Sequence, residues 1–420
     1  MKCLRLLKKN LNTGWYREHN YCNANKFTFK RVLIINKRTR YELERALCPG
    51  ITKDQLEQII KKRGSDFDRI LLRHHQHNDF YERIACCFKN HGVEVETVNR
   101  TSYSEKEVEW ADLIVIAGGD GTFLLGASLI RDQNKPIVGF NTNPGCSEGY
   151  LCLPKKYSFD VDTAVKKILK NDFDWLLRNR IEVEVLGPNA LDEVFILDST
   201  KKSWCVINYY YFNFFNLIRL CSINKYHQPI NHLPWKTKLP KSSFDMSAKI
   251  GQEYNIFIIF MGENVSSQTS SLLIHPEGYD KTIVKCSGLC ISTGTGSTSW
   301  HMSINRLTEE KVRMVMELSG HPPNDEDEVA CITKKYNKSL RFSPDDRRLY
   351  WSLREPIYSS VFPDPPGFPA GGFSKRVSVG SRCFSGCLVV DGTHWYPFHD
   401  GTVAQLYSSA DKCLRTISFN

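Results

Sequence analysis

Leu113-Ile114-Val115-Ile116-Ala117-Gly118-Gly119-Asp120-Gly121-Thr122-Phe123-Leu124-Leu125 is the stretch whose reading decides the fold. Five apolar residues run unbroken into Gly-Gly-Asp-Gly-Thr and then into a second apolar segment. An uninterrupted run of this length predicts a strand buried on both faces, the pattern of parallel sheets covered by helices. The glycine pair permits a sharp turn, and the helix predicted after it presents free N–H groups and a positive dipole end beside one carboxylate, Asp120. Phosphate oxygens can approach such a main chain closely. A plain turn with Asp as a helix cap would use the same residues, so the motif takes its meaning from the buried strand before it.

Working outward, RVLIINK (31–37), VEVETVNR (93–100) and KPIVGFNT (135–142) are further strand candidates. TKDQLEQIIKKRG (52–64), DFYERIACCFKNHG (79–92) and LLGASLIRD (124–132) have helical spacing, the first two with Gly just past the end. Strands alternating with helices predict an α/β domain over 31–175 with a mainly parallel, Rossmann-like sheet. From about Asn179 the rhythm changes to short strands separated by turn residues: RIEVEVLG, LDEVFI, SSLLIHP, TIVKCSGLCIST, KRVSVGS and GCLVVDG. These predict a β-rich second domain over 176–420.

The formal charge of +10 suggests nucleic acid only until it is located. Residues 1 to 31 hold eight Lys/Arg against Glu18, and residues 199 to 252 hold eight against Asp245, so the remainder sums to 10 − 14 = −4. The enzyme-like part is mildly acidic, which argues against a nucleic-acid partner. Residues 1–30 are basic, nearly acid-free and without a long apolar core, as in a mitochondrial transit peptide; a basic terminus of a cytosolic protein reads the same way. The 15 cysteines show no paired CxxC elements, which argues against structural zinc and for buried, inert thiols.

Residues 198–260 break the rhythm. They are dense in Tyr, Phe, Asn, Ile and Lys and nearly free of acids, a bias of A/T-rich codons. Joining ALDEVF directly to MGENVSSQTSSLL would give strand, turn and strand, so the segment reads as a translated intron or a gene-prediction error, with a genuine surface insertion as the rival. A membrane segment is weakened by Arg219 and three asparagines within Val206 to Ile223.

Taken together, KRTRYELER (37–45), GGDGTFLLGAS (118–128), GFNTNPGCSEGYLCLP (139–154), ALDEV (190–194), STGTGSTSWHMSINRL (292–307), SLREPI (352–357) and CLVVDGTHWYPFHDGTVAQL (387–406) resemble the NAD kinase family, its mitochondrial branch in particular. The likeness covers most of 31–197 and 261–420. It implies an N-terminal α/β domain, a C-terminal β-rich domain and an active site in the crevice between them, where ligands of α/β sheets sit. The activity implied is phosphorylation of the adenosine-ribose 2′-hydroxyl of NAD by ATP with Mg²⁺, giving NADP, in a homodimer of the mitochondrial matrix.

The same likeness assigns residues. Asp120 would accept the hydroxyl proton, as a poor nucleophile near neutral pH requires, with Gly119, Gly121 and Thr122 along the phosphates. Asn141 ends a strand where the family contacts nucleotide, though an Asn tolerating a left-handed turn fits as well. Asp192 and Glu193 match the family's Asn-Glu pair on the NAD ribose; Asp at the first position is a departure, since it cannot donate as an amide does. Thr298, Ser299, Trp300 and Ser303 match the loop that grips the nicotinamide end, with Gly294 and Gly296 giving it freedom to approach a ligand. Asp391-Gly392 reads as a hairpin turn. No protein metal site is expected. Lipid kinases of the diacylglycerol and sphingosine type share the glycine loop, and an inactive nucleotide-binding paralogue is the non-enzymatic alternative. A dehydrogenase lacks support without GxGxxG, and a standard P-loop kinase lacks GxxxxGK[ST].

Overall fold

A computed structural model describes residues 27–186, 248–249 and 256–419, apart from 266, 360, 361, 364, 366 and 393. The first sheet is built from β1 (Arg31–Asn36), β2 (Glu94–Asn99), β3 (Leu113–Gly118), β4 (Ile137–Asn141) and β5 (Asp174–Arg178). Leu113 to Ala117 are fully buried, as the unbroken run requires, because apolar layers cover both faces of β3. One layer is held by the helices Phe67–Asn90 and Val161–Leu169, the other by Glu105–Trp110 and Asp120–Ser128. The helix Lys53–Lys62 opens on a capping box between Thr52 and Gln55 and stops before Gly64, whose φ of +75° suits glycine.

The second domain contributes β6 (Ile181–Leu186), β7 (Ala248–Lys249), β8 (Ile258–Glu263), β9 (Ser270–Pro276), β10 (Thr282–Cys286), β11 (Gly288–Ser292), β12 (Leu349–Arg354), β13 (Gly371–Ser374), β14 (Arg376–Ser381), β15 (Gly386–Val390), β16 (His394–Pro397) and β17 (Val403–Ser408). They form two antiparallel sheets, ordered β10-β9-β14-β17-β6-β7 and β13-β12-β11-β8-β15-β16. Alternate residues of both face one shared apolar core that includes Val183, Ile259, Ile274, Trp351, Val379 and Leu406. The stretch TIVKCSGLCIST is two strands rather than one, broken at Ser287-Gly288. Two helices, Glu309–Leu318 and Glu326–Ser339, interrupt the strand pattern of this domain.

The last strand, β18 (Leu414–Ser418), leaves this domain and enters the first sheet, whose order is β2-β1-β3-β4-β18-β5. β1 to β4 pair in parallel, and β18 is antiparallel to β5. The division of the chain thus falls after Arg178 rather than at 175, and residues 414–418 belong with the N-terminal domain.

Part of the segment 198–260 also belongs to the fold. Most of it lies outside the described residues, including the stretch weighed as a membrane segment, but Ile256–Phe260 do not. β8 is an inner strand, with Phe260 paired to Cys290 on one side and Val389 on the other, and Ile256, Phe257 and Ile259 are buried. An insert ending at Phe260 is therefore corrected: removing it would delete the start of β8. Among the described residues no helix is long and apolar enough to cross a membrane. The expectation of uniformly buried thiols is corrected too: Cys286, Cys290, Cys383, Cys387 and Cys413 are buried, while Cys86, Cys146 and Cys331 are exposed.

Candidate active site

From β1 the chain passes to β2 on one side and then to β3 on the other, so the sheet's topological switch point lies between the carboxyl ends of β1 and β3. Gly118-Gly119-Asp120-Gly121-Thr122 sits at that end. Gly119 is the N-cap and Asp120 the first residue of the helix Asp120–Ser128. The three glycines serve different purposes. A side chain on Gly118 would stand 2.5 Å from Thr122 Oγ1, whereas one on Gly119 would meet nothing nearer than Ser147 Oγ at 3.9 Å, and one on Gly121 nothing within 4 Å. The first glycine closes the turn; the other two leave open space above the main chain.

Asp120 reaches across to the loop after β4. Its carboxylate accepts the N–H of Tyr150 at 3.1 Å and of Leu151 at 2.9 Å. Two bonds leave lone pairs unused on a group that can accept about four, so the carboxylate is oriented and still able to take a hydroxyl proton. Asn141, expected at the nucleotide or in a left-handed turn, is not in the latter. It is 1% exposed, donates to the Ser147 carbonyl and accepts from Asn143 N–H and the Ser147 hydroxyl. Its polar atoms are spent on shaping the loop 143–149, and its φ is negative.

Behind the loop, buried His77 on the helix Phe67–Asn90 joins β1 to β4, with Nε2 2.6 Å from Asn36 Oδ1 and Nδ1 2.9 Å from Thr142 Oγ1. Burial, helped by the nearby Lys37 charge, lowers its pKa to about 4. The ring is therefore neutral at physiological pH: Nε2 donates to Asn36 and the Thr142 hydroxyl donates to Nδ1.

The second candidate group follows β11. Thr298 closes a 3-10 turn, Gly296–Thr298, and Ser299, Trp300 and Ser303 stand exposed at the start and on the first turn of the helix Trp300–Asn305. Ser299 donates its hydroxyl to the Gly296 carbonyl, and Trp300 packs edge-on against Phe260 at 5.5 Å between centroids. Gly294 and Gly296 do not provide freedom here. A Cβ on Gly294 would lie 1.9 Å from the Ser343 carbonyl oxygen, and one on Gly296 2.5 Å from that of Phe257. They are glycines because neighbouring backbone presses on them, which corrects the expectation of a flexible loop. Asp391-Gly392 is a hairpin turn between β15 and β16, with φ of +47° and +69°. Its carboxylate turns inward to accept the N–H groups of Phe257 and Ile258, and burial raises its pKa to about 7 against the pull of those bonds.

Arg178, at the end of β5, joins the two groups. It is buried over the Phe123 ring, close enough to Asp120 for their charges to interact, and its Nη1 lies 3.5 Å from Thr295 Oγ1 in the second-domain loop. Burial lowers its pKa to about 10, with Asp120 opposing. Arg341 of the second domain reaches the other way, donating to the Tyr150 hydroxyl at 2.7 Å and lying over its ring. Phe257 seals the seam by packing into the apolar cluster that holds Phe123 and Leu151. Sequence reading passed over Arg178, Arg341 and His77 because none stands in a recognisable motif. Asp192 and Glu193 lie outside the described residues.

The ATP-NAD kinase N-terminal domain profile matches residues 51–178. NAD kinase 2, mitochondrial, of Homo sapiens is 33% identical over 420 residues, spanning 98% of this chain and 89% of the relative. The Xenopus tropicalis protein of the same name is 30% identical over 418 residues, spanning 94% and 92%. An Archaeoglobus fulgidus NAD kinase solved in complex with ATP covers 92% of each chain at 14% identity and a TM-score of 0.44. Identity sustained along nearly the whole of two chains, with Gly118–Thr122 seated at the switch point of the sheet, settles the affiliation: the chain belongs to the NAD kinase family and is an ATP-dependent NAD kinase.

Proposed function

We propose that Asp120 is the general base of this NAD kinase, taking the proton from the adenosine-ribose 2′-hydroxyl of NAD as the oxygen attacks the γ-phosphorus of ATP. The observation that carries this is the pairing of one fixed carboxylate with two glycines, Gly119 and Gly121, that leave the main chain open beside it. In a loose phosphoryl-transfer transition state most of the acceleration comes from alignment and charge neutralisation. Gly119, Gly121 and Thr122 line the phosphates through the first-turn N–H groups. Asn141 contributes by holding the loop that orients Asp120.

On the acceptor side, Asp192 and Glu193 hold the NAD ribose, and Thr298, Ser299, Trp300 and Ser303 hold the nicotinamide end. Mg²⁺ enters as MgATP, part of the substrate, and neutralises phosphate charge there. We propose further that the chain acts as a homodimer in the mitochondrial matrix, with residues 1–30 as the transit segment. The acceptor assignment is tested by Glu193→Gln, which should raise the KM for NAD at least about tenfold, as loss of a charged hydrogen bond does, and leave the KM for ATP unchanged. An unchanged KM for NAD would remove Glu193 from the site.

A further inference from the structure

Beside the glycine loop stand two cations that the sequence reading did not single out. Lys37 follows β1 directly, and its N–H bonds the Ala117 carbonyl at the end of β3. Its Cβ lies 3.1 Å from where a side chain on Gly118 would begin, so the stem rises against the first turn of the loop. Arg73, on the helix Phe67–Asn90, lies close enough to Lys37 for their charges to interact and donates to Cys146 Sγ at 3.0 Å in the loop that faces Gly119 through Ser147. Neither forms an ion pair with a carboxylate among the described residues. Glu42, whose charge acts on the neighbouring His77, is tied into the capping box with Thr39. Burial lowers the Lys37 pKa, and the Arg73 charge lowers it further.

Two like charges brought together at a topological switch point, one of them half-buried and neither neutralised, are costly unless an anion completes them. Beside them, Gly119 and Gly121 leave the main chain of the glycine loop open. We propose that Lys37 and Arg73 form a clamp for the terminal phosphates of the nucleoside triphosphate donor, Lys37 as a point charge at the carboxyl end of β1 and Arg73 as a fork from the helix Phe67–Asn90. The chain has no Walker lysine, and this pair supplies the cationic half of the phosphate site from two elements 36 positions apart. His77, neutral and bonded to both β1 and β4, keeps Asn36 and hence the neighbouring Lys37 in place without adding a third positive charge.

This assignment rests on the NAD kinase reading, and the experiment separates the two. Full-length protein carrying Lys37→Met or Arg73→Met is titrated with MgATP and with AMP by calorimetry, and the KM for ATP and for NAD are measured beside it. Each variant should bind MgATP 10- to 100-fold more weakly, the span expected for one lost charge-assisted bond. AMP affinity and the KM for NAD should stay within about twofold, because the clamp touches neither. Lys37→Arg should recover most of the loss, and Lys61→Met, which removes an equal charge from the remote helix Lys53–Lys62, should change nothing. MgATP affinity unchanged in both methionine variants at wild-type melting temperature overturns the clamp, as does a loss that appears in the KM for NAD instead. If Lys37→Met does not fold, Arg73→Gln gives the same reading. NADP formation by the wild type is scored separately, so failure of the clamp leaves the kinase assignment standing.

Discussion

Two loops of this protein share a vocabulary and use it in opposite ways. Gly118–Thr122 follows β3, and Thr293–Ser299 follows β11; both are rich in glycine and threonine, and both leave a fully buried strand for a short helix. In the first, the glycines at 119 and 121 look out on empty space. In the second, those at 294 and 296 are pressed against the backbone of Ser343 and Phe257. One loop is bare and leaves room above its main chain; the other is bare so that two chain segments can meet. Composition alone does not separate these uses, and each can be tested by restoring a side chain.

The widest gap is expected in catalysis. Asp120→Asn keeps the shape and one of the two main-chain bonds, since its single amide oxygen can replace only one carboxylate oxygen, and it removes the proton acceptor, so turnover should fall roughly 10²- to 10⁴-fold with NAD still bound. An NADP-forming assay with parallel NAD titration checks this; near wild-type turnover would strip Asp120 of its role.

Next comes Gly294→Ala. A methyl group 1.9 Å from a carbonyl oxygen cannot be absorbed by a side-chain rotation, and displacing the backbone at Ser343 should cost about 3 kcal/mol, at the upper end for overpacking. Gly121→Ala meets nothing and sits in a helical turn that favours alanine, so its stability should hold or rise by up to about 1 kcal/mol. ATP affinity should behave inversely, falling in Gly121→Ala. Equal losses of stability in the two variants, measured by chemical denaturation, would erase the distinction between the loops.

How far the sequence announced all this follows from where each partner lies. β3, its loop and the helix after it were legible because the reasons are local: an apolar run, two glycines, a helix start. The domain pattern was legible for the same reason. Arg178 and His77 were not, since they acquire their neighbours only when β5 is placed against β18 and the helix Phe67–Asn90 is laid across β1 and β4. The constraint on Gly294 comes from a residue 49 positions later. Ile256–Phe260 share the composition of the segment before them, and only their pairing with β11 and β15 shows that they belong to the core. Asn141 stands out in the sequence because it ends a strand; its three hydrogen bonds into the loop 143–149 cannot be seen from position alone.

Each loop also rests on a buried titratable group, and the two are shifted in opposite directions. Asp391 supports the second loop by holding Phe257, whose carbonyl bears on Gly296 and takes the Thr293 hydroxyl. Its pKa rises from 3.8 to about 7, so the folded state holds a proton that the unfolded state releases, and this support is complete below pH 3.8 and lost as pH climbs through 7. Between pH 5 and 8 the loss is roughly 3 kcal/mol from those two values. Asp391→Asn, which can still accept the two N–H groups, should abolish that alkaline decline in denaturation experiments across this range.

His77 gives the smallest and opposite effect. Its pKa falls from 6.5 to about 4 on folding, so it favours the native state fully above pH 6.5, and protonation of the unfolded chain removes that advantage as pH drops toward 4. At pH 5 the loss is about 2 kcal/mol. The wild type, in which the two slopes oppose each other, should look nearly flat between pH 5 and 8 in so far as these groups govern it. His77→Gln keeps a donor for Asn36 but cannot be protonated, so it should leave the Asp391 slope exposed, with stability rising steadily as pH falls to 5. If that variant shows the same flat profile as the wild type, the neutral imidazole assigned behind the glycine loop is wrong, and so is the tautomer that holds Asn36 and Thr142 together.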